Sequence, residues 1–168
     1  MLTFCSRLGD KLPERAATTM VPVLRVFISP SDIANLPYAL SVLTSMLQSP
    51  ETSAKASIEK EILPEVISLI KSASIQGPSL EALQEFIATY TAIDPDSATR
   101  MVPSIVKEFD VRQPVSSIST TGEGSTATYA TAAKCIGIIL KNTQENFAGI
   151  LSQFIKPVQV RVLSLLYL

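Results

Sequence analysis

Ile62-Leu63-Pro64-Glu65-Val66-Ile67-Ser68-Leu69-Ile70-Lys71 is the stretch on which the reading of the fold turns, because its opening has close copies elsewhere in the chain. Met20-Val21-Pro22-Val23-Leu24 is one copy and Met101-Val102-Pro103-Ser104-Ile105 another, each with two apolar residues, a proline, a variable residue and an apolar one. The three prolines lie 42 and 39 residues apart. A looser copy, Ile150-Leu151-Ser152-Gln153-Phe154, follows 49 residues after the third and carries serine in the proline's place.

Around each copy the apolar residues recur at helical spacing. Ile62, Leu63, Val66, Ile67, Leu69 and Ile70 form one stripe, with Glu61, Glu65, Ser68 and Ser72 opposite. One repeat later Met101, Val102, Ile105, Val106 and Phe109 are apolar, and Arg100, Ser104 and Lys107 are polar. Repeats of about 40 residues without strand-like alternation are the mark of two-helix HEAT or armadillo units. The expected fold is therefore all-α, a right-handed α-solenoid of HEAT-like helix pairs with about four repeats and a terminal half repeat. The boundaries fall near 1–30, 31–72, 73–110 and 126–157, with the half repeat at 158–168, all within one solenoid segment spanning 1–168. Pro64 and Pro103 mark either a kink or a helix start, since proline is tolerated in a first turn and bends a helix elsewhere.

Working outward, a first pair is expected from Met1–Leu12 and Glu14–Ile28, and a helix from about Ile33 to Leu47 after the turn and cap at Pro30-Ser31-Asp32. Glu51–Lys60 runs on into the organising stretch. Gln76-Gly77-Pro78-Ser79 reads as a turn leading into a helix that carries Leu80, Leu83, Phe86, Ile87 and Tyr90. Asp94-Pro95-Asp96-Ser97 reads as a helix cap with first-turn acid rather than a metal site. Residues 111–126, rich in Ser and Thr with Pro114, Gly122 and Gly124, read as a flexible inter-repeat loop, which accounts for the late fourth copy. Thr128–Leu140 and Glu145–Pro157 make the next pair. Val160–Leu168 begins a further repeat whose apolar face lacks a partner in this sequence.

Bulk chemistry narrows function more than it defines it. The 168 residues carry 46% hydrophobic and only 17% charged residues, with a mean hydropathy of +0.31, which suits a segment of something larger. A net charge of −1 with scattered Lys and Arg lacks the footprint of a nucleic-acid binder. Apolar runs are too short to span a bilayer, and no secretory signal opens the chain. Cys5 and Cys135 read as buried free thiols in a reducing compartment, cytoplasmic or nuclear. The chain contains no histidine, which removes Ser-His and Cys-His nucleophile pairs and His-based metal sites. Gly122-Glu123-Gly124 lacks the later glycine and lysine of a phosphate loop. No enzymatic activity, cofactor, metal, small-molecule substrate, nucleic acid or membrane is expected.

Several non-apolar details carry a resemblance. The stretch 62–71, the turn Ser72-Ala73-Ser74-Ile75-Gln76-Gly77, the helix Leu80-Glu81-Ala82-Leu83-Gln84-Glu85-Phe86-Ile87, Tyr129-Ala130-Thr131-Ala132-Ala133-Lys134-Cys135, and Gln153-Phe154-Ile155 with Val160–Leu166 together resemble the cullin-associated, neddylation-dissociated proteins, from about Ser31 onward. That resemblance implies a fragment of a long, non-catalytic HEAT solenoid that wraps unmodified cullin scaffolds. Such solenoids promote exchange of substrate receptors in cullin-RING ubiquitin ligases. The protein partner implied is thus a cullin-RING scaffold, met by the polar stripe of successive second helices, with Glu65, Ser68, Ser104 and Lys107 as its contact residues. A generic helical-repeat adaptor for transport or assembly is the alternative, and a solvated face is the ordinary reading of those four residues.

Overall fold

The computed structural model describes residues 14–49, 53–72, 74–108, 123–143 and 148–149, with side chains given for these except at 14–18, 53, 107–108 and 123–127. Among the described residues there are six α-helices and no strand: α1 (Glu14–Arg25), α2 (Leu36–Gln48), α3 (residues 53–69), α4 (Pro78–Ile93), α5 (Ala98–Glu108) and α6 (Glu123–Asn142). The all-helical expectation holds. The expected helices at 1–12 and 145–157 and the half repeat at 158–168 lie outside the described residues, apart from helical Ala148 and Gly149.

Local chemistry sets the helix starts. Pro37 and Pro78 occupy first-turn positions, where a missing N–H costs nothing. Gly77 precedes Pro78 with φ 53°, a left-handed conformation open to glycine, and its carbonyl accepts from the Glu81 N–H at 3.0 Å. α2 begins at Leu36 rather than near Ile33, because Asp32 builds its own turn first. Its carboxylate accepts from the Asn35 side chain at 3.0 Å, and its carbonyl accepts from the Leu36 N–H at 3.0 Å. At the other end of the sequence α6 begins at Glu123, inside the stretch 111–126 read as loop. An acid in the first turn is favourable, and a single helical glycine such as Gly124 costs only about 1 kcal/mol.

The helices pack in two rows. α2 lies against α4 and α4 against α6, while α1 lies against α3 and α3 against α5. Contacts between α1 and α2, α2 and α3, and α5 and α6 join the rows. One continuous core results, from Val21, Leu24 and Ile28 through Leu40, Leu43, Ile62, Val66, Leu83, Phe86, Ile87, Tyr90 and Ile105 to Cys135 and Ile139. Each fully buried Leu, Ile or Phe contributes about 1.5–3 kcal/mol. α2 is buried on most sides, through Leu36, Ala39, Leu40, Val42, Leu43, Thr44, Met46 and Leu47.

Three buried threonine hydroxyls in this core bond to the backbone of their own helices. Thr44, Thr91 and Thr143 donate to the carbonyls of Leu40, Ile87 and Ile139, at 2.9, 2.8 and 2.9 Å. Asn142 is the polar cross-link, donating from Nδ2 on α6 to the Ala88 carbonyl at 2.9 Å and to Thr91 Oγ1 at 3.0 Å on α4. Cys135 is free and fully buried, and burial pushes its thiol up to about 12. Cys5 lies outside the described residues.

Candidate protein-interaction surface

All three repeat-marking prolines sit within helical runs, and all three face solvent. Pro22 and Pro103 are inside α1 and α5. Pro64 is accommodated differently: the preceding residues Ile58–Ile62 widen into a π-helical turn, closed by the Leu63 N–H on the Ile58 carbonyl, before the helix resumes over Leu63–Leu69. Since proline cannot donate to the carbonyl four residues back and crowds it, a turn that opens the ladder just before Pro64 relieves both problems.

The prolines also set a common register. Two residues after each, Leu24, Val66 and Ile105 are buried, and six residues after the first two, Ile28 and Ile70 are buried. The residue before each proline is Val21, Leu63 or Val102, and Val21 and Val102 are buried while Leu63 is half-buried. Among the described side chains, the positions one and four residues after the proline are exposed or half-buried. They are Val23 on α1 and Val26 in the turn just past its end, Glu65 and Ser68 on α3, and Ser104 on α5, the Lys107 side chain lying outside the described residues. Glu65 and Ser104 thus hold the same position relative to the proline, one residue after it, on neighbouring helices.

Two of these residues are already engaged within the chain. Arg25 Nη2 and Nε donate to one Glu65 oxygen at 2.6 and 3.1 Å, bridging α1 and α3. Ser104 Oγ donates to the Arg100 carbonyl at 2.8 Å. Ser68 is exposed. Arg100, read as part of the same polar stripe, instead reaches Glu59 at 2.7 Å and Asp94 at 3.4 Å, and Lys55 lies 3.7 Å from Asp94. Asp94 therefore spends its carboxylate on two cations rather than on a helix cap. The Ser97 hydroxyl does not cap the helix N–H groups either; its Oγ donates back to the Asp94 carbonyl at 2.5 Å.

Tyr90 stands beside this charge network. Its ring stacks on Phe86 with centroids 6.3 Å apart and planes at 11°, and its buried hydroxyl has no hydrogen-bond partner among the described residues. Burial, and then the negative charges of Glu59 and Asp94, push the phenol up to about 12 against the opposing pull of Arg100.

A groove of about 480 Å³ opens where the end of α1 meets α3. It is lined by Pro22, Arg25, Val26, Ile28, Ser29, Pro30, Glu61 and Glu65. Neither the exposed valines nor this groove was evident from the sequence. Val23 and Val26 look like ordinary stripe residues until their neighbours are known, and the groove joins residues some 40 positions apart. Among the described residues no three His, Cys, Asp or Glu side chains gather as a metal site, and no helix is long and apolar enough to cross a membrane. Comparison of the chain with protein families, with curated proteins and with solved structures returned no match in any of the three.

Proposed function

We propose that the chain is a segment of a HEAT-type α-solenoid that serves as a non-catalytic scaffold, of the kind that binds unmodified cullin-RING assemblies and regulates exchange of their substrate receptors. The observation that carries the scaffold reading is the shared register of α1, α3 and α5, in which equivalent positions are buried and equivalent positions face outward. A packing scheme in which every second helix is a neighbour is what stacked helix pairs produce. Stacking of this kind yields an extended surface rather than a pocket, and extended surfaces bind proteins. The absence of histidine from the sequence removes the commonest general base and so favours binding over chemistry. The cullin-RING partner itself rests on the sequence resemblance described above.

Capture experiments with the purified chain test this reading. Unmodified cullin-RING complex should be retained and its neddylated form should not. Lys107→Glu should weaken retention about tenfold, the scale of a charge at an interface centre. Glu65→Lys alone confounds contact with folding, because it also breaks the Arg25 pair. The double variant with Arg25→Glu rebuilds that pair in reverse, and retention that stays low in the double variant assigns Glu65 to the partner. Retention of neither cullin form would favour the general adaptor reading.

A further inference from the structure

The register that leaves Glu65, Ser68 and Ser104 exposed or half-buried leaves Val23 on α1 and Val26 just past its end in solvent, 60% and 73% exposed. Single exposed aliphatic side chains are ordinary on a protein surface; what distinguishes Val26 is that it lines a groove. Val26 forms the groove's apolar lip together with Pro22 and Pro30, and Ile28 lies deeper and is buried.

The groove's charges are unequal. Arg25 is committed to Glu65 through two donors, so that pair is close to neutral. Glu61 lies one turn before Glu65 on the same wall, half-buried, with no ion pair or hydrogen bond among the described residues. The result is an apolar lip and, in the same groove lining, one carboxylate with no ion-pair partner among the described residues. A carboxylate of this kind favours a cation, and the adjoining valine and prolines favour an aliphatic neighbour.

We propose that the groove between α1 and α3 receives an extended peptide segment of a protein partner, in which a lysine or arginine engages Glu61 and an adjacent aliphatic side chain covers Val26 and Pro30. This rests on the reading of the chain as a protein-binding scaffold, though not on the cullin as the partner. It extends the contact surface beyond the polar stripe of α3 and α5 to the apolar and acidic groove between the end of α1 and α3.

The test uses the whole 168-residue chain, labelled with ¹⁵N, and three probe peptides: acetylated, amidated Leu-Arg-Leu-Arg, Leu-Gln-Leu-Gln and Leu-Glu-Leu-Glu. The arginine peptide should shift amides within 23–29 and 61–65, the glutamine peptide should do so weakly, and the glutamate peptide not at all. Glu61→Gln should weaken the arginine peptide about fivefold, the effect of a single exposed charge. Val26→Ser should weaken arginine and glutamine peptides alike. Equal binding of all three peptides, shifts elsewhere on the surface, or an unchanged affinity in Glu61→Gln would each overturn the proposal. Cullin capture run on the same variants separates the two readings. Intact capture with no peptide binding removes this proposal alone, and peptide binding without capture removes the cullin partner alone.

Discussion

Arg25 reaches Glu65 across forty residues of sequence, with Nη2 2.6 Å and Nε 3.1 Å from one carboxylate oxygen, and so fastens α1 to α3 at the rim of the groove. Both side chains remain partly exposed, at 52% and 34%. A double-mutant cycle with Arg25→Met and Glu65→Gln should therefore give a coupling below about 1 kcal/mol in urea unfolding, shrinking towards zero in 1 M salt. A salt-independent coupling above about 2 kcal/mol would mean that the pair is far more desolvated than its exposure indicates.

Asn142 supplies the corresponding fastening between α4 and α6. Asn142→Ala removes donors from the Ala88 carbonyl and Thr91 Oγ1, in a part-buried setting. The expected loss is about 1–3 kcal/mol, and Asn142→Asp should be at least as damaging because it replaces a donor by a charged acceptor facing a carbonyl. Chemical unfolding of the two variants checks both the size and the order.

Tyr90 offers a substitution of opposite sign. Its hydroxyl is buried and unpartnered among the described residues, so Tyr90→Phe should be neutral or stabilise by about 1 kcal/mol while keeping the stack on Phe86. Tyr90→Ala should cost about 3–5 kcal/mol through the cavity. Thermal melts of the pair give the answer, and a destabilised phenylalanine variant would show that the hydroxyl has a partner.

Alkali should unfold the chain over a defined window. The thiol of Cys135 rises from its ordinary 9.0 to about 12, and the phenol of Tyr90 from 10.0 to about 12. Both groups hold their protons more tightly when folded, so the unfolded chain releases them first. Stability is then complete below pH 9 and falls between pH 9 and 12. In a Cys5→Ser background Cys135 should resist thiol reagents at pH 8, and Cys135→Ala should flatten the first part of the alkaline decline. A thiol that reacts rapidly at pH 8 would contradict the burial.

The fold was legible in the sequence where a physical constraint repeats. Proline followed two residues later by a buried aliphatic, in Leu24, Val66 and Ile105, announces a helix register because burial depends on spacing along one helix. Helix starts were legible at Pro78, after Gly77, and less so at Leu36, where the Asp32 turn competes with the helix for three residues. The surface was much less legible. Glu65 and Arg100 read as free polar positions because a sequence shows spacing within one helix and not the cation or carboxylate on the next. The exposure of Val23 and Val26 was invisible for the same reason.

The two rows of helices differ in their polar links. Aliphatic side chains pack both rows, but Arg25 with Glu65 and Arg100 with Glu59 add ion pairs between α1, α3 and α5, and Lys55 and Arg100 meet Asp94 at the end of α4, whereas α4 and α6 add the neutral Asn142 amide. Added electrolyte weakens the first set and leaves the second nearly untouched. High salt should therefore act unevenly on the molecule, reaching the exposed ion pairs on one row while the apolar core shared by both rows stays in place.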